Sequence, residues 1–248
     1  MRRAPGKNEP GKALARAEGS GRMEPQKKQE SPMSLLTIRP AGDPTLARLP
    51  LYLRILKEMN RQGCEYASGA VVAKQLNLDP IVVRKDLAVT GVIGKPRLGF
   101  PVQSLLMGIE EFLGWSNTMD AVLVGAGSLG TALLGYDGFK QYGLSIVAVF
   151  DNNPRKVGKR SKGQLILPMS ELGNVIRKLS VKLGILTVPA EHAQSVADEM
   201  VEGGVRGIWN FTPVRLKVPD DVILKREDLA ASLAILSHRL YQMAKKSK

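Results

Sequence analysis

The run Gly125-Ala126-Gly127-Ser128-Leu129-Gly130 follows an apolar stretch, Ala121 to Val124, and opens a segment with helical spacing; no other feature of the 248-residue chain constrains its fold as much. In a strand-to-helix turn of the form GxGxxG, the first glycine makes the turn, the second lets a pyrophosphate approach the backbone, and the third lets helix pack on strand. The amides that open such a helix face the phosphates. Gly125, Ala126, Gly127, Ser128, Leu129 and Gly130 are therefore expected to contact a dinucleotide, the bland alternative being a glycine-rich turn that holds none. A second apolar stretch, Ser145 to Phe150, ends in Asp151, roughly 20 residues on, where a carboxylate accepts hydrogen bonds from the adenosine ribose and repels a 2′-phosphate. NAD(H) is expected over NADP(H), with Asn152 and Lys156 as further contacts, although Arg155 and Lys156 add positive charge nearby.

Around this junction apolar strands alternate with helices. Strands are expected at 120–125, 145–150, 181–188 and 206–210, and helices near 128–141, 169–178 and 190–202, the signature of an α/β fold with a mostly parallel, doubly wound Rossmann sheet. Thr187-Val188-Pro189-Ala190 and Asn210-Phe211-Thr212-Pro213 each follow a strand C-terminus, the edge where open α/β sheets bind ligands. Thr187, Pro189, Asn210 and Phe211 are thus placed to flank a nicotinamide, or equally to be ordinary turn residues. Tyr136 is expected to pack or hydrogen-bond near the dinucleotide.

The N-terminal half reads differently. A helix expected to begin near Leu49-Pro50 would bury Tyr52, Leu53, Leu56 and Met59 and stop at Gly63. Ser68 caps a second helix that ends at Asn77-Leu78, and Asp79 with Pro80 opens a third carrying Arg84 and Lys85. Helix, short turn, then helix with a basic face is the layout of a helix-turn-helix. Gly91, Gly94 and Gly99, with Lys95 and Arg97 between them, suit a tight basic hairpin, a candidate wing. A fourth amphipathic helix, Val102 to Trp115, closes this winged-helix unit. Ser68, Arg84, Lys85, Lys95 and Arg97 are the expected contacts to double-stranded DNA.

Charge by itself says less. The formal net charge is +13, yet the tails supply a large part of it, through Arg2, Arg3, Lys7, Lys12, Arg16, Arg22, Lys27 and Lys28 at one end and Lys245, Lys246 and Lys248 at the other. The helix pattern, more than the pI, argues for nucleic acid. Residues 1–44 are too polar to bury a core and are expected to be a disordered basic tail, a phosphate-touching arm or a passive extension. Further divisions are expected at 45–116 for the winged helix, 117–226 for the Rossmann domain and 227–248 for a C-terminal helix and tail, with Leu229, Leu233, Leu236, Leu240 and Met243 on one stripe. Cys64 is the sole cysteine, so no internal disulfide or zinc site is expected. No apolar run is long enough to span a bilayer and no secretory signal opens the chain, so a soluble, cytoplasmic protein is expected.

An enzyme would need acid-base groups for hydride transfer. His192 and His238 are isolated, and Tyr136 with Lys140 has the YxxxK spacing of short-chain dehydrogenases but directly follows the glycine loop, where those enzymes do not place it. A regulator with no catalytic residues is expected; an NAD-dependent oxidoreductase with an accessory domain is the alternative, and a cofactor-blind DNA-binding or scaffold protein a third reading.

From about Leu49 to Leu240 the chain resembles the Rex family of redox-sensing repressors. The resemblance rests on Leu51-Tyr52-Leu53-Arg54-Ile55-Leu56, Val83-Arg84-Lys85-Asp86-Leu87, the glycine loop, Tyr136-Asp137-Gly138-Phe139, Phe150-Asp151 with Asn152-Asn153-Pro154, Val188-Pro189-Ala190, and Asn210-Phe211-Thr212-Pro213-Val214-Arg215-Leu216. It implies a homodimer that exchanges its C-terminal helices, an inverted-repeat operator bound in the NAD⁺ or apo state, and release by NADH. It also implies that Arg54, Tyr136 and Asp228 form a polar linkage between DNA-binding domain, cofactor site and partner subunit. The chain departs from the family at Ala88-Val89-Thr90-Gly91, where members carry Ser-Tyr-Phe-Gly, and at Pro96-Arg97, where their wing has arginine followed by glycine.

Overall fold

The computed structural model describes residues 42–246, the side chains of Leu229 and Lys246 excepted. The expected tail at 1–44 thus lies almost wholly outside the described residues.

The first helix, α1 (Asp43–Arg61), starts before Pro50 rather than at it. Pro44 occupies the first turn, where its missing N–H is no loss, and Asp43 faces the positive end of the helix dipole. Tertiary bonds from Thr45 and Arg48, described below, hold that turn in place. A short strand, β1 (Tyr66–Ala67), precedes α2 (Gly69–Leu76), and α3 (Pro80–Ala88) follows after a left-handed residue, Asn77, with φ of 52°. Both caps form as the residue types predict: Ser68 Oγ accepts from the amide of Val71 at 3.2 Å and Asp79 Oδ1 from that of Ile81 at 2.6 Å. Strand β2 (Phe100–Pro101) pairs antiparallel with β1, so the wing is closed by a segment ahead of α2 and by only one bridge of its own, Lys95 to Gly99. Helix α4 (Val102–Phe112) ends before Trp115, with Gly114 at φ of 72°. Leu49, Tyr52, Leu53, Leu56, Val72, Val83, Leu87, Leu105 and Ile109 form the core of this half.

The second half is built on β3 (Met119–Val124), β4 (Leu144–Asp151), β5 (Arg160–Ser161), β6 (Gln164–Pro168), β7 (Leu183–Leu186), β8 (Gly207–Asn210) and β9 (Ile223–Arg226). They form one seven-stranded sheet in the order β5-β6-β4-β3-β7-β8-β9, all parallel except the β5–β6 hairpin. Without β5, this is the 3-2-1-4-5-6 order of a Rossmann sheet, whose switch point lies between β3 and β7. The sequence pattern missed β5, β6 and β9, which are short and carry polar residues.

Side chains alternate along β3: Val122 and Val124 join Phe150, Leu186 and the helices α6 (Leu172–Leu179) and α7 (Ala193–Gly203), while Ala121 and Leu123 face Val149, Ile166 and Ile185 on the other side. The helix after the glycine loop, α5 (Ser128–Leu134), is shorter than the expected 128–141; Gly135 ends it and Asp137–Tyr142 continues as a 3-10 segment. The last helix, α8 (Leu229–Lys246), presents Leu233, Leu236 and Leu240 at 55–62% exposure, an apolar stripe turned to solvent.

Candidate nucleotide site and nucleic-acid interface

The glycine loop sits at the switch point because two backbone bonds and one from a side chain leave it nowhere else to go. The amide of Gly125 donates to the Phe150 carbonyl at 2.8 Å, the amide of Thr187 to the Val124 carbonyl at 2.9 Å, and the Thr187 hydroxyl to the Gly125 carbonyl at 2.7 Å. The three glycines do different work. Gly125 has φ of 103°, and a Cβ there would come within 2.6 Å of the Thr187 carbonyl oxygen. A Cβ on Gly130 would stand 2.0 Å from the Gly125 carbonyl oxygen, so this residue permits the close helix-strand approach. Gly127 would meet nothing within 4 Å: the space beside it is open. That is the space a pyrophosphate needs.

Asp151, at the end of β4, is buried and well bonded. Its Oδ1 accepts from the amide of Asn153 at 2.8 Å; its Oδ2 accepts from the amide of Ala126 at 2.9 Å and from Lys156 Nζ at 2.9 Å. Burial alone would raise the carboxyl pKa, but the Asn153 amide, Lys156 and the Ala126 amide outweigh it and hold the group below the usual carboxylate range. The residue is ionised, faces a cavity, and couples the second strand to the glycine loop.

The cavity, about 610 Å³, is lined by Gly125, Gly127, Ser128, Leu129, Asp151, Asn152, Lys156, Thr187 and Pro189, which brings together most of the expected cofactor contacts. Its size and its mixture of apolar walls with a few polar groups suit an adenosine diphosphate moiety. Ala126 contributes its amide through Asp151. Asn210, Phe211 and Tyr136 do not line this cavity. Asn210 is fully buried and organises its own loop, donating to the Val214 carbonyl at 3.0 Å and accepting from the amide and hydroxyl of Thr212 at 2.8 and 2.7 Å. Phe211 and Tyr136 are the ends of an aromatic chain, Tyr136–Phe139–Trp209–Phe211, with ring centroids 4.9, 5.6 and 4.9 Å apart.

Several lining residues escaped the sequence reading. Met169 supplies an apolar wall, and His192, Ser195, Val196 and Glu199 come from the first two turns of α7 and the turn before it. Their spacing of i, i+3, i+4 and i+7 is one helical face, so the signal was present, but nothing local said which face looks at the cavity. Burial, with the Glu202 carboxylate adding repulsion, raises the Glu199 pKa.

On the N-terminal half, Arg84 and Lys85 project from α3 into solvent, as expected, while the next residue does not. Asp86 is 3% exposed and accepts from Thr45 Oγ1 at 2.8 Å, Arg48 Nε and Nη2 at 2.6 and 2.9 Å, and Tyr52 hydroxyl at 2.6 Å. The stem of Arg84 lies along Gly69 at the start of α2, where a Cβ would come within 2.9 Å of its Cγ. Ser68 serves α2 as its cap. Lys95 donates to the Tyr66 hydroxyl at 2.7 Å. In the wing, the amide of Leu98 bonds the Lys95 carbonyl at 3.2 Å and Arg97 has φ of 64°, so Pro96-Arg97 forms the centre of a turn of type II geometry. Arginine in that left-handed position is strained, and holds its side chain at the tip.

Arg54, Tyr136 and Asp228 are not brought together within one chain. Asp228 ion-pairs with Arg226 and accepts from the amide of Ala231 at 3.1 Å, and these bonds, the Ala231 amide first, lower its pKa. Tyr136 is 54% exposed. Among the described residues, no helix is long and apolar enough to cross a membrane.

A family model described as a CoA binding domain matches residues 116–214, and one described as the N-terminus of a putative DNA-binding protein matches residues 42–88. The redox-sensing transcriptional repressor Rex of Treponema denticola is 47% identical over 193 residues, 78% of this chain and 92% of that protein. The same repressor of Bacteroides fragilis is 41% identical over 198 residues, 80% of this chain and 90% of its own. Among solved structures, that of RSP with β-NAD⁺ and operator DNA superposes with a TM-score of 0.79 at 31% identity, covering 84% of this chain and 96% of that one. RSP with β-NADH gives 0.74 at 32% identity, over 85% and 100%.

Proposed function

The chain belongs to the Rex family of redox-sensing transcriptional repressors, and on that premise we propose that its winged helix binds an inverted-repeat operator as a homodimer and that NADH in the Asp151 cavity releases it. The observation that carries this reading is the placement of ionised Asp151 beside the glycine loop, at the switch point of a Rossmann sheet, on a chain whose other half exposes Arg84 and Lys85. Gly125, Gly127, Ser128, Leu129, Asn152, Thr187 and Pro189 would hold the dinucleotide, with Asp151 accepting from the ribose and its charge opposing a 2′-phosphate. Ser68, Arg84, Lys85, Lys95 and Arg97 would contact DNA. The two tasks divide near residue 116.

NADH and DNA must then favour different dimer arrangements. Linkage makes the effect reciprocal: whatever factor NADH takes from DNA affinity, DNA takes from NADH affinity, and a coupling of roughly 1–3 kcal/mol corresponds to about 5- to 150-fold control. The Arg54–Tyr136–Asp228 linkage would form between subunits, with Asp228 exchanging Arg226 for a partner from the second chain. Such a directional charged bond exists in one arrangement only, which is what a two-state switch requires.

The protein acts as a regulator and not as a hydride-transfer enzyme. Tyr136 and Lys140 lie outside the cavity, with Lys140 paired to Asp137, and the His192 ring at the cavity lining makes no hydrogen bond or ion pair with a described residue. As a repressor it would work beside the chromosome, in the cytoplasm. The deciding measurement is anisotropy of a labelled inverted-repeat duplex at constant salt, titrated with NADH and with NAD⁺. Release by NADH at much lower concentration than by NAD⁺ is expected; binding indifferent to both nucleotides would sink the sensor mechanism.

A further inference from the structure

Most apolar side chains around the third helix serve the fold. Val83 and Leu87 are fully buried, and Leu78, just before the cap, packs against the same cluster. Within α3, Ile81 is the large apolar side chain left exposed. It is the second residue of α3 and 57% exposed. It stands three and four positions before Arg84 and Lys85, so these three side chains share one face of the helix. A branched hydrocarbon presented to water between two cations contributes nothing to the core, and in a helix its χ1 is nearly locked, so it is held ready as a rigid surface.

We infer that Ile81 is a specificity residue that covers the C5-methyl group of a thymine in the major groove. This rests on the DNA-binding reading of the winged helix. The N-terminal residues of a recognition helix are those that reach base edges. Only one base presents a methyl group in the major groove, and apolar side chains are the groups that read it. Arg84 and Lys85 on the same face supply the attraction to guanine or phosphate that brings Ile81 against the base. Neither cation distinguishes thymine from cytosine at that position; the hydrocarbon does. Removing one buried methyl group from such a contact lowers affinity about fourfold.

The test removes the methyl group from the DNA and leaves the protein intact. The full-length protein would first select a duplex from a random library, and each thymine of that duplex would then be replaced in turn by deoxyuridine, which pairs identically. Affinities at constant salt would be compared for the parent and for Ile81→Ala. The expected result is one thymine in each half-site whose replacement weakens the parent about fourfold and leaves Ile81→Ala unaffected. Parent and variant responding alike at every thymine would overturn the inference while leaving the repressor reading intact. Selection of no preferred sequence at all would overturn both. An unchanged far-UV circular dichroism spectrum and urea midpoint of Ile81→Ala are expected, since the side chain is 57% exposed, and show that the variant is folded.

Discussion

The hydroxyl of Tyr52 donates a 2.6 Å hydrogen bond to Oδ2 of Asp86, so α1 and α3 share one buried charge. Arg48 forks onto the same carboxylate, and Thr45 adds a fourth bond. Asp86 follows Arg84 and Lys85 directly. With Val83, Asp86 and Leu87 turned inward, α3 is held in the rotation that leaves both cations facing out. The cluster therefore orients the face of α3 that is proposed to meet DNA.

Asp86→Ala would leave the buried Tyr52 hydroxyl and the partly buried Arg48 guanidinium without their acceptor. A loss of about 3 kcal/mol is expected, at the low end for a broken buried pair because Arg48 retains some solvent. DNA affinity should fall with it, whereas NADH affinity, set in the other half of the chain, should be unchanged. Urea denaturation and an NADH fluorescence titration of the same variant check both statements. Asp86→Asn, which keeps an acceptor for Tyr52 or Thr45, should lose less.

The same cluster predicts a pH dependence at both ends of the scale. Burial pushes the Asp86 carboxyl up, but the bonds from Arg48, Tyr52 and Thr45 outweigh it and leave it below its ordinary value. A carboxyl lowered by folding stabilises the native state above its unfolded pKa, near 4, and that contribution is lost as pH falls through the folded value. Asp86→Asn should flatten the acid limb of the stability curve below about pH 4. Tyr52 is pushed up to about 12 by burial, with the Asp86 bond adding to it. Its contribution is complete below pH 10 or so and is lost as pH rises toward 12; Tyr52→Phe should remove that alkaline limb. Unfolding midpoints measured across pH 2–5 and 9–12 would show either effect missing.

Gly127→Ala and Gly130→Ala should separate binding from folding. At Gly127 the added methyl enters open space, so stability should stay within about 1 kcal/mol of the parent, the cost of lost glycine freedom being small or favourable. NADH affinity should drop at least about tenfold, because the methyl group occupies the pyrophosphate's approach. At Gly130 the methyl group would collide with the Gly125 carbonyl, and both stability and NADH binding should fail. An unchanged NADH affinity in a folded Gly127→Ala protein would move the pyrophosphate elsewhere.

Asp151→Ala should change which dinucleotide is preferred. The substitution removes the acceptor that opposes a 2′-phosphate and releases Lys156 from its 2.9 Å ion pair, so a cation faces the site unopposed. NADH affinity is expected to fall roughly tenfold or more, and the NADH-to-NADPH preference to shift by a larger factor. Parallel titrations with the two cofactors give the answer; an unaltered preference would mean that Asp151 does not meet the ribose.

Leu236→Glu tests where the stripe on α8 goes. Leu233, Leu236 and Leu240 are exposed in the single chain, and a second copy is the partner expected for a family member. A charge placed in that stripe should convert dimer to monomer in sedimentation velocity and abolish operator binding, while leaving the Asp151 cavity able to bind NADH.

Much of this protein was legible in its sequence, for reasons that are local. A glycine loop between a strand and a helix, a carboxylate at the next strand's end, and caps at Ser68 and Asp79 each depend on residues a few positions apart, so spacing alone determined the Rossmann junction, the expected cofactor contacts at Gly125, Gly127 and Asp151, and the two helices of the DNA-facing half. What tertiary structure decided depends on distance along the chain. Nothing in the local pattern singles out Asp86, which is buried by partners 34, 38 and 41 positions away. Those same contacts carry α1 upstream of Pro50, where local proline chemistry predicts a start. The face of α7 that lines the cavity was likewise settled by packing, whereas Asn210 is drawn into its own loop by bonds to Thr212 and Val214, two and four positions away. A periodic pattern states that a segment has an inside and an outside, and only the neighbouring elements determine what each side meets.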